Sequence, residues 1–299
     1  MNITKDNITE IFYLSDEFCN NFLAAIMGNL LGNSPKRKPK KSESEVITIM
    51  TLFHLGGIRN LKHFYEYCVK VYLKSEFPNT VSYNRFTELM QAAALPKTIM
   101  LKTCCLGEST GISFVDSTLI RVCKNKRIKR NKVFKGIADV GKSSMGYLNG
   151  FKLHLMINDK GEILDFVITQ ANVDDREPLK NERFIKKITG KLYTDKGYLS
   201  KDLTQMLFID GIHLTTTIRN NMKNCLMELK DKIMLRKRFV IETINDELKN
   251  MCQVEHSRHR SFGNFITNLL AGLIAHSFFP KKTSIKYEVP TTNQLALFL

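Results

Sequence analysis

Asp116, Asp195 and Glu242 are acidic residues far apart in the chain, each at a position where secondary structure could bring it into a shared site. Asp116 closes the short β-prone run Gly111-Ile112-Ser113-Phe114-Val115, and Asp195 closes Lys191-Leu192-Tyr193-Thr194. Glu242 lies on a stretch with helical periodicity, expected over Leu235–Cys252, whose apolar face is Val240, Ile241, Ile244, Leu248 and Met251. Parallel neighbouring strands put their carboxyl ends on one edge, where α/β folds assemble their sites. A helix packed on that edge brings a glutamate to two aspartates. Three hard oxygen ligands suit Mg²⁺, which keeps part of its water shell and accepts phosphate oxygens, and Mn²⁺ can substitute for it. Two such ions ~4 Å apart activate a nucleophile and stabilise the leaving oxygen of a phosphodiester. Taken singly, an aspartate at a strand end is more often a turn former.

Spacing around the helical glutamate leaves alternatives. Asp246 lies four residues beyond Glu242 on nearly the same side. Arg238, four residues before, and Lys249, seven after, share the Glu242 stripe. The plain account is an exposed Arg–Glu pair worth a few tenths of a kcal/mol. The functional account is a metal-binding carboxylate flanked by cations for DNA phosphates.

Charge points to the same partner. With 45 Lys+Arg against 29 Asp+Glu, the 299-residue chain carries +16 and a pI near 9.5, which favours a polyanion. Residues 1–105 contribute only +4, from 13 basic and 9 acidic side chains. The segment 121–135 holds Arg121, Lys124, Lys126, Arg127, Lys129, Arg130, Lys132 and Lys135, with no acid between Asp116 and Asp139. A solvated loop would ordinarily include compensating acids, so this density reads as an arm for nucleic-acid phosphates. Arg219 and Lys223, after the last expected strand, are further DNA-contact candidates, although a polar surface loop accounts for them nearly as well. Pro35 to Lys41 is a basic linker whose two prolines oppose helix.

The elements that must position these groups fall into two regions. Residues 1–105 are expected to form an all-α, DNA-binding domain, either a small bundle or a helix-turn-helix arrangement. Ser42-x-x-Glu45 has capping-box form, Asn60 and Ser82 are further caps, and Gly56-Gly57 is a stop signal. Residues 106–280 are expected to form the α/β catalytic domain, followed by a tail over 281–299 without assigned role. Its strands are expected at 111–116, 150–157, 163–169, 191–195 and 213–218, with Asn158-Asp159-Lys160-Gly161 turning a hairpin. Polar helix 176–188, helix 199–209 and the Glu242 helix complete the order.

Other classes find little support. The apolar stretch Phe265–Phe279 is interrupted by Thr267, Asn268 and His276 and is too short to span a bilayer, so it reads as a buried helix. The opening residues lack the order of a secretion signal. Seven cysteines without a CxxC pair indicate a reducing, cytoplasmic setting, and Cys104-Cys105 read as buried packing. His256-x-x-His259 lacks partners for zinc and reads as packing or DNA-facing. No phosphate-cradling glycine motif implies a nucleotide cofactor.

Phe114-Val115-Asp116-Ser117-Thr118, Tyr193-Thr194-Asp195-Lys196-Gly197-Tyr198 and Arg238-x3-Glu242-x6-Lys249 together resemble the DDE transposases of bacterial insertion sequences, and within them the 982 family. Supporting runs are Ser82-Tyr83-Asn84-Arg85-Phe86, Asn149 to His154 and Glu255 to Phe262, so the resemblance covers nearly the whole chain through Pro280. It implies a ribonuclease-H-like mixed sheet flanked by helices, a triad of Asp116, Asp195 and Glu242, and two Mg²⁺ ions, with Asp116 bridging both. It implies cleavage at transposon ends and strand transfer into target DNA, with terminal inverted repeats and target as partners. A homodimer on DNA, in a bacterial cytoplasm and on the nucleoid when bound, follows from pairing two ends. Leu235 stands where the broader signature has tyrosine, which removes any tyrosine role there. Two rival readings share these features: a nuclease or resolvase that cuts without joining, and an inactive element copy that only binds DNA.

Overall fold

A computed structural model of the chain describes residues 3–23, 40–143, 146–217, 226–255, 259–286 and 295–297. It forms two compact units: Met1–Cys105 with Glu247–Pro280, and Leu106–Asp246 with Lys281–Leu299.

The first unit opens with α1 (Lys5–Phe18), capped by Thr4 and extended by a π turn over Cys19–Leu23. At the start of α2 (Glu43–Leu55), Ser42 Oγ accepts from Glu45 N at 3.1 Å and the Glu45 carboxylate accepts from Ser42 N at 2.8 Å. This is the capping box expected from sequence, and it satisfies two amides that the helix itself leaves unpaired. Asn60 Oδ1 accepts from His63 N at 3.1 Å and starts α3 (Leu61–His63), which widens into a π-helical stretch over Phe64–Tyr72. Ser82 caps α4 (Tyr83–Ala92), and α5 (Ala94–Met100) follows, ending in a π turn over Leu101–Cys105. Cys104 is exposed and Cys105 only partly covered, contrary to the expected burial, because this last turn presents them at the margin of the unit.

The second unit is built on a six-stranded mixed sheet. Its strands are β1 (Ile112–Cys123), β2 (Asp139–Ser143), β3 (Gly146–Asn158), β4 (Ile163–Gln170), then, after a short α6 (Glu182–Ile185), β5 (Gly190–Thr194), and, after α7 (Lys201–Ile209), β6 (Ile212–Thr216). β3 pairs antiparallel with β1, β2 and β4, whereas β5 runs parallel to β1 and to β6. Four strands joined antiparallel through β3, with the two parallel strands β5 and β6 on the far side of β1, give the ribonuclease-H-like arrangement, so the expected α/β class is borne out. Next come β7 (Leu226–Glu228), α8 (Leu229–Lys237) and α9 (Phe239–Asp246); β7 pairs antiparallel with the later β8 (Leu295–Leu297).

Three expectations are corrected. The first strand does not end at Asp116 but continues to Cys123, because Thr118, Ile120 and Val122 keep a β-branched alternation and β3 pairs with the strand as far as Arg121 and, past an irregularity at Val122, at Cys123. The polar helix expected over 176–188 is a 3-10 turn (Glu177–Lys180) plus the four residues of α6, since Asn181 caps a new start after Pro178. The single helix expected over 235–252 is segmented: it begins at Leu229, tightens at Arg238 through Ile241 N to Arg238 O at 3.1 Å, and becomes a π turn over Glu247–Met251.

The core of this unit follows the period of two. Val115, Met156 and Leu192 point to one face and are covered by Leu203 and Leu207 of α7 with Phe184 and Ile185 of α6. On the other face Phe114 stacks on Tyr193 with ring centroids 5.5 Å apart, and Tyr193 Oη donates to Asp231 of α8 at 2.7 Å.

The last helix, α10 (Phe262–Ser277), belongs with the N-terminal helices instead of with the sheet, although residues 106–280 were expected to form one domain. Its residues from Thr267 to His276 are all buried. A helix apolar on every side must be enclosed on every side, and α2 and α5 flank it.

Candidate active site

Asp116 and Asp195 come together through the register of the parallel pair. Phe114 pairs with Tyr193, and two residues further along each chain stand the two aspartates. Asp116 is an interior residue of β1, on the same face as Phe114, where α8 and α9 pack. Asp195 follows the last residue of β5 and caps a 3-10 turn over Lys196–Tyr198, its Oδ1 accepting from Gly197 N at 2.9 Å. Both aspartates are partly buried.

α9 brings the third acid. Glu242 accepts from the Arg238 guanidinium at 2.8 Å; its side chain is 56% exposed and that of Arg238 18%. Burial pushes the Asp116 carboxyl up to about 6; the Arg238 cation opposes this, while the charges of Asp195 and Glu242 add to it. The acids at 116, 195 and 242 therefore share one electrostatic neighbourhood. Glu242 is the weakest of these charges acting on Asp116, and Asp246 lies exposed at the end of the same helix. Each acid is engaged by its own neighbour: Asp116 by Asn245, Asp195 by its turn amide and Glu242 by Arg238. Among the described residues no three His, Cys, Asp or Glu side chains are gathered tightly enough to hold an ion by themselves.

The donor set nonetheless fits a divalent cation. Its atoms are hard carboxylate oxygens, and burial holds the Asp116 carboxyl above its ordinary range, with Asp195 and Glu242 adding to the shift.

Several contributors were not singled out as site residues by the sequence. Asn245, 6% exposed on α9, donates from Nδ2 to Asp116 Oδ2 at 3.3 Å. Ser117 donates to Asp175 Oδ1 at 2.6 Å, and Lys152 Nζ lies 2.8 Å from the same oxygen. Asp175 thus fixes the face of β1 opposite Asp116. The Tyr198 hydroxyl is buried beside Ser117, and its proton is held well above the ordinary tyrosine range by burial and by Asp116, Asp175 and Asp195. A helix-spacing rule places Asn245 near Glu242, but nothing in sequence separates it from an exposed polar residue.

The remaining candidates are placed as follows. Arg121 lies on β1, and Lys126, Arg127, Lys129 and Arg130 lie on a 3-10 helix over Asn125–Arg130, with Lys124 as its cap. These cations, with Lys132 and Lys135, are all exposed, and Phe134 pins the arm by burying its ring edge-on to Phe151 at 6.0 Å. Lys249 lies in the helical unit, its Nζ 4.0 Å from Glu255. His259 packs edge-on to Phe265 at 5.6 Å, and burial lowers its imidazole to about 4. Arg219, Lys223, His256 and residues 35–39 lie outside the described residues.

Comparison with known proteins decides the family. The profile described as Transposase DDE domain matches residues 106–262, more than half of the chain. The chain belongs to the transposase DDE domain family. The match contains all three acids. No curated protein matches the sequence. Among solved structures, a cryo-EM structure of a piggyBac transposase synaptic complex with hairpin DNA is similar at 10% identity and a TM-score of 0.49, covering 91% of this chain and 70% of that one. Among the described residues of this DDE-domain protein, no helix is long and apolar enough to cross a membrane.

Proposed function

We propose that this protein is a transposase that cuts DNA at the ends of a mobile element and joins them to target DNA, of the kind carried by bacterial insertion sequences and similar to the 982 family. The observation that carries the reading is the shared environment of Asp116, Asp195 and Glu242, three acids from distant parts of a DDE-domain sequence. Asp116, Asp195 and Glu242 would hold divalent cations, Mg²⁺ or Mn²⁺, which supply an activated water and charge stabilisation of the leaving oxygen. The chain's own contribution is positional. Arg238 orients Glu242 through their 2.8 Å bond, and the turn amide of Gly197 orients Asp195. The exposed cations from Arg121 to Lys135 bind phosphates without reading bases, and Arg219, Lys223 and Lys249 extend that role. Hydrolysis of one phosphodiester leaves a 3′-hydroxyl at the element end. That hydroxyl then attacks a target phosphodiester and releases a target 3′-hydroxyl, so bonds broken and formed balance. Pairing two ends calls for a homodimer on DNA.

The test uses Asp116→Asn with duplexes carrying the element's terminal repeats. Cleavage and joining should fall by roughly a thousandfold while duplex binding persists. Full Mg²⁺-dependent cleavage by the variant would sink the assignment. A pre-cut end that yields no joined product with the wild-type chain would favour a nuclease over a transposase.

A further inference from the structure

Asn245 enters the carboxylate cluster with only one end of its amide partnered. Its Nδ2 donates to Asp116 Oδ2 at 3.3 Å, while its Oδ1 is buried without a hydrogen-bond partner. A carboxylate accepts and an amide nitrogen donates, so the bond to Asp116 fixes which way the amide faces. Buried amide oxygens are nearly always satisfied, because the hydration they give up on folding is costly unless another partner replaces it. Asn245 also lies three residues from Glu242 on one side of α9, so its amide, bonded to Asp116, stands beside two of the three acids.

We propose that Asn245 is a fourth oxygen donor of the divalent-cation site, its Oδ1 serving the ion directly or through a bound water while its Nδ2 steadies the Asp116 carboxylate. The inference rests on the reading of Asp116, Asp195 and Glu242 as ion-holding acids. A neutral amide suits this position. It adds an oxygen without a fourth negative charge beside acids that already repel one another, and asparagine carbonyls are regular ligands of hard cations.

The test is Mn²⁺ binding to the full-length chain, followed by the electron paramagnetic resonance of free Mn²⁺, with thermal melting in EDTA as the measure of folding. Asn245→Ala should melt like wild type in EDTA and bind Mn²⁺ about 10- to 100-fold more weakly. Asn245→Asp, which keeps an oxygen at the Oδ1 position, should recover the affinity and gain more thermal stability from Mn²⁺ than wild type does. Asp116→Asn should lose the site. If Asn245→Ala binds as wild type while Asp116→Asn does not, the Asn245 proposal fails and the reading of the acids survives. If Asp116→Asn binds as wild type, or the wild-type chain takes up no Mn²⁺, that reading fails and takes this proposal with it. If Asn245→Ala and Asn245→Asp both melt lower in EDTA and both lose Mn²⁺, the residue is structural and the proposal is overturned.

Discussion

Lys97 shows at the scale of one residue how far burial outweighs ordinary charge preference. It is fully buried in the helical unit, its Nζ donating to Thr267 Oγ1 at 2.7 Å, and loss of solvent lowers its ammonium to about 7. Its setting is the one that also lowers His54 to about 4, where Nδ1 of the imidazole donates to the Cys252 carbonyl at 2.5 Å. Between about pH 7 and the unfolded value near 10.5, an unfolded chain holds the Lys97 proton and the native one does not. Stability of this unit should therefore climb as pH rises through that window. Below it both states are protonated and the cost of the buried charge is fully present. Lys97→Met should remove the climb and stabilise the fold at pH 7 by roughly 1–3 kcal/mol. Urea midpoints measured from pH 6 to 10 check this, and an unchanged slope would show that Lys97 does not titrate in this range.

At the scale of elements, the β1–β3 ladder decides where Asp116 sits. Gly150 pairs with Arg121 and lies so close to β1 that a Cβ would run into the Ile120 carbonyl. Gly150→Ala should force the strands apart and cost about 2–4 kcal/mol, with loss of activity through displacement of β1. Denaturant unfolding measures the cost, and an alanine tolerated within about 0.5 kcal/mol would show that the ladder absorbs the side chain elsewhere. The ladder also explains the misplaced strand end. The run through Val115 read as complete because a carboxylate is a common stop, yet Ser117 to Arg121 continue the same register with β3, and Cys123 pairs beyond an irregularity at Val122.

Across the whole molecule, half of the net charge is concentrated in fifteen residues that the fold leaves exposed, although Phe134 anchors them. If these cations neutralise phosphates, each should steepen the salt dependence of duplex binding by about 0.9 in log–log slope. Replacing Lys126, Arg127, Lys129 and Arg130 by alanine should lower that slope by about 3–4 and weaken binding to all duplexes alike. An unchanged slope, read from titrations at several salt concentrations, would remove the arm from the DNA path.

The sequence by itself determined the local elements and the chemical types at the site. Caps at Ser42, Asn60 and Ser82, the Asn158–Gly161 hairpin and the apolar runs before Asp116 and Asp195 are local signals, set by backbone amides that need partners and by side-chain period. Tertiary structure decided what local signals do not encode. It extended β1, broke the Glu242 helix at Arg238, and moved α10 in with the N-terminal helices. It also chose which polar residue touches Asp116: Asn245 is a surface-type residue by sequence, and only the packing of α9 against β1 removes it from water and aims its amide at the acid.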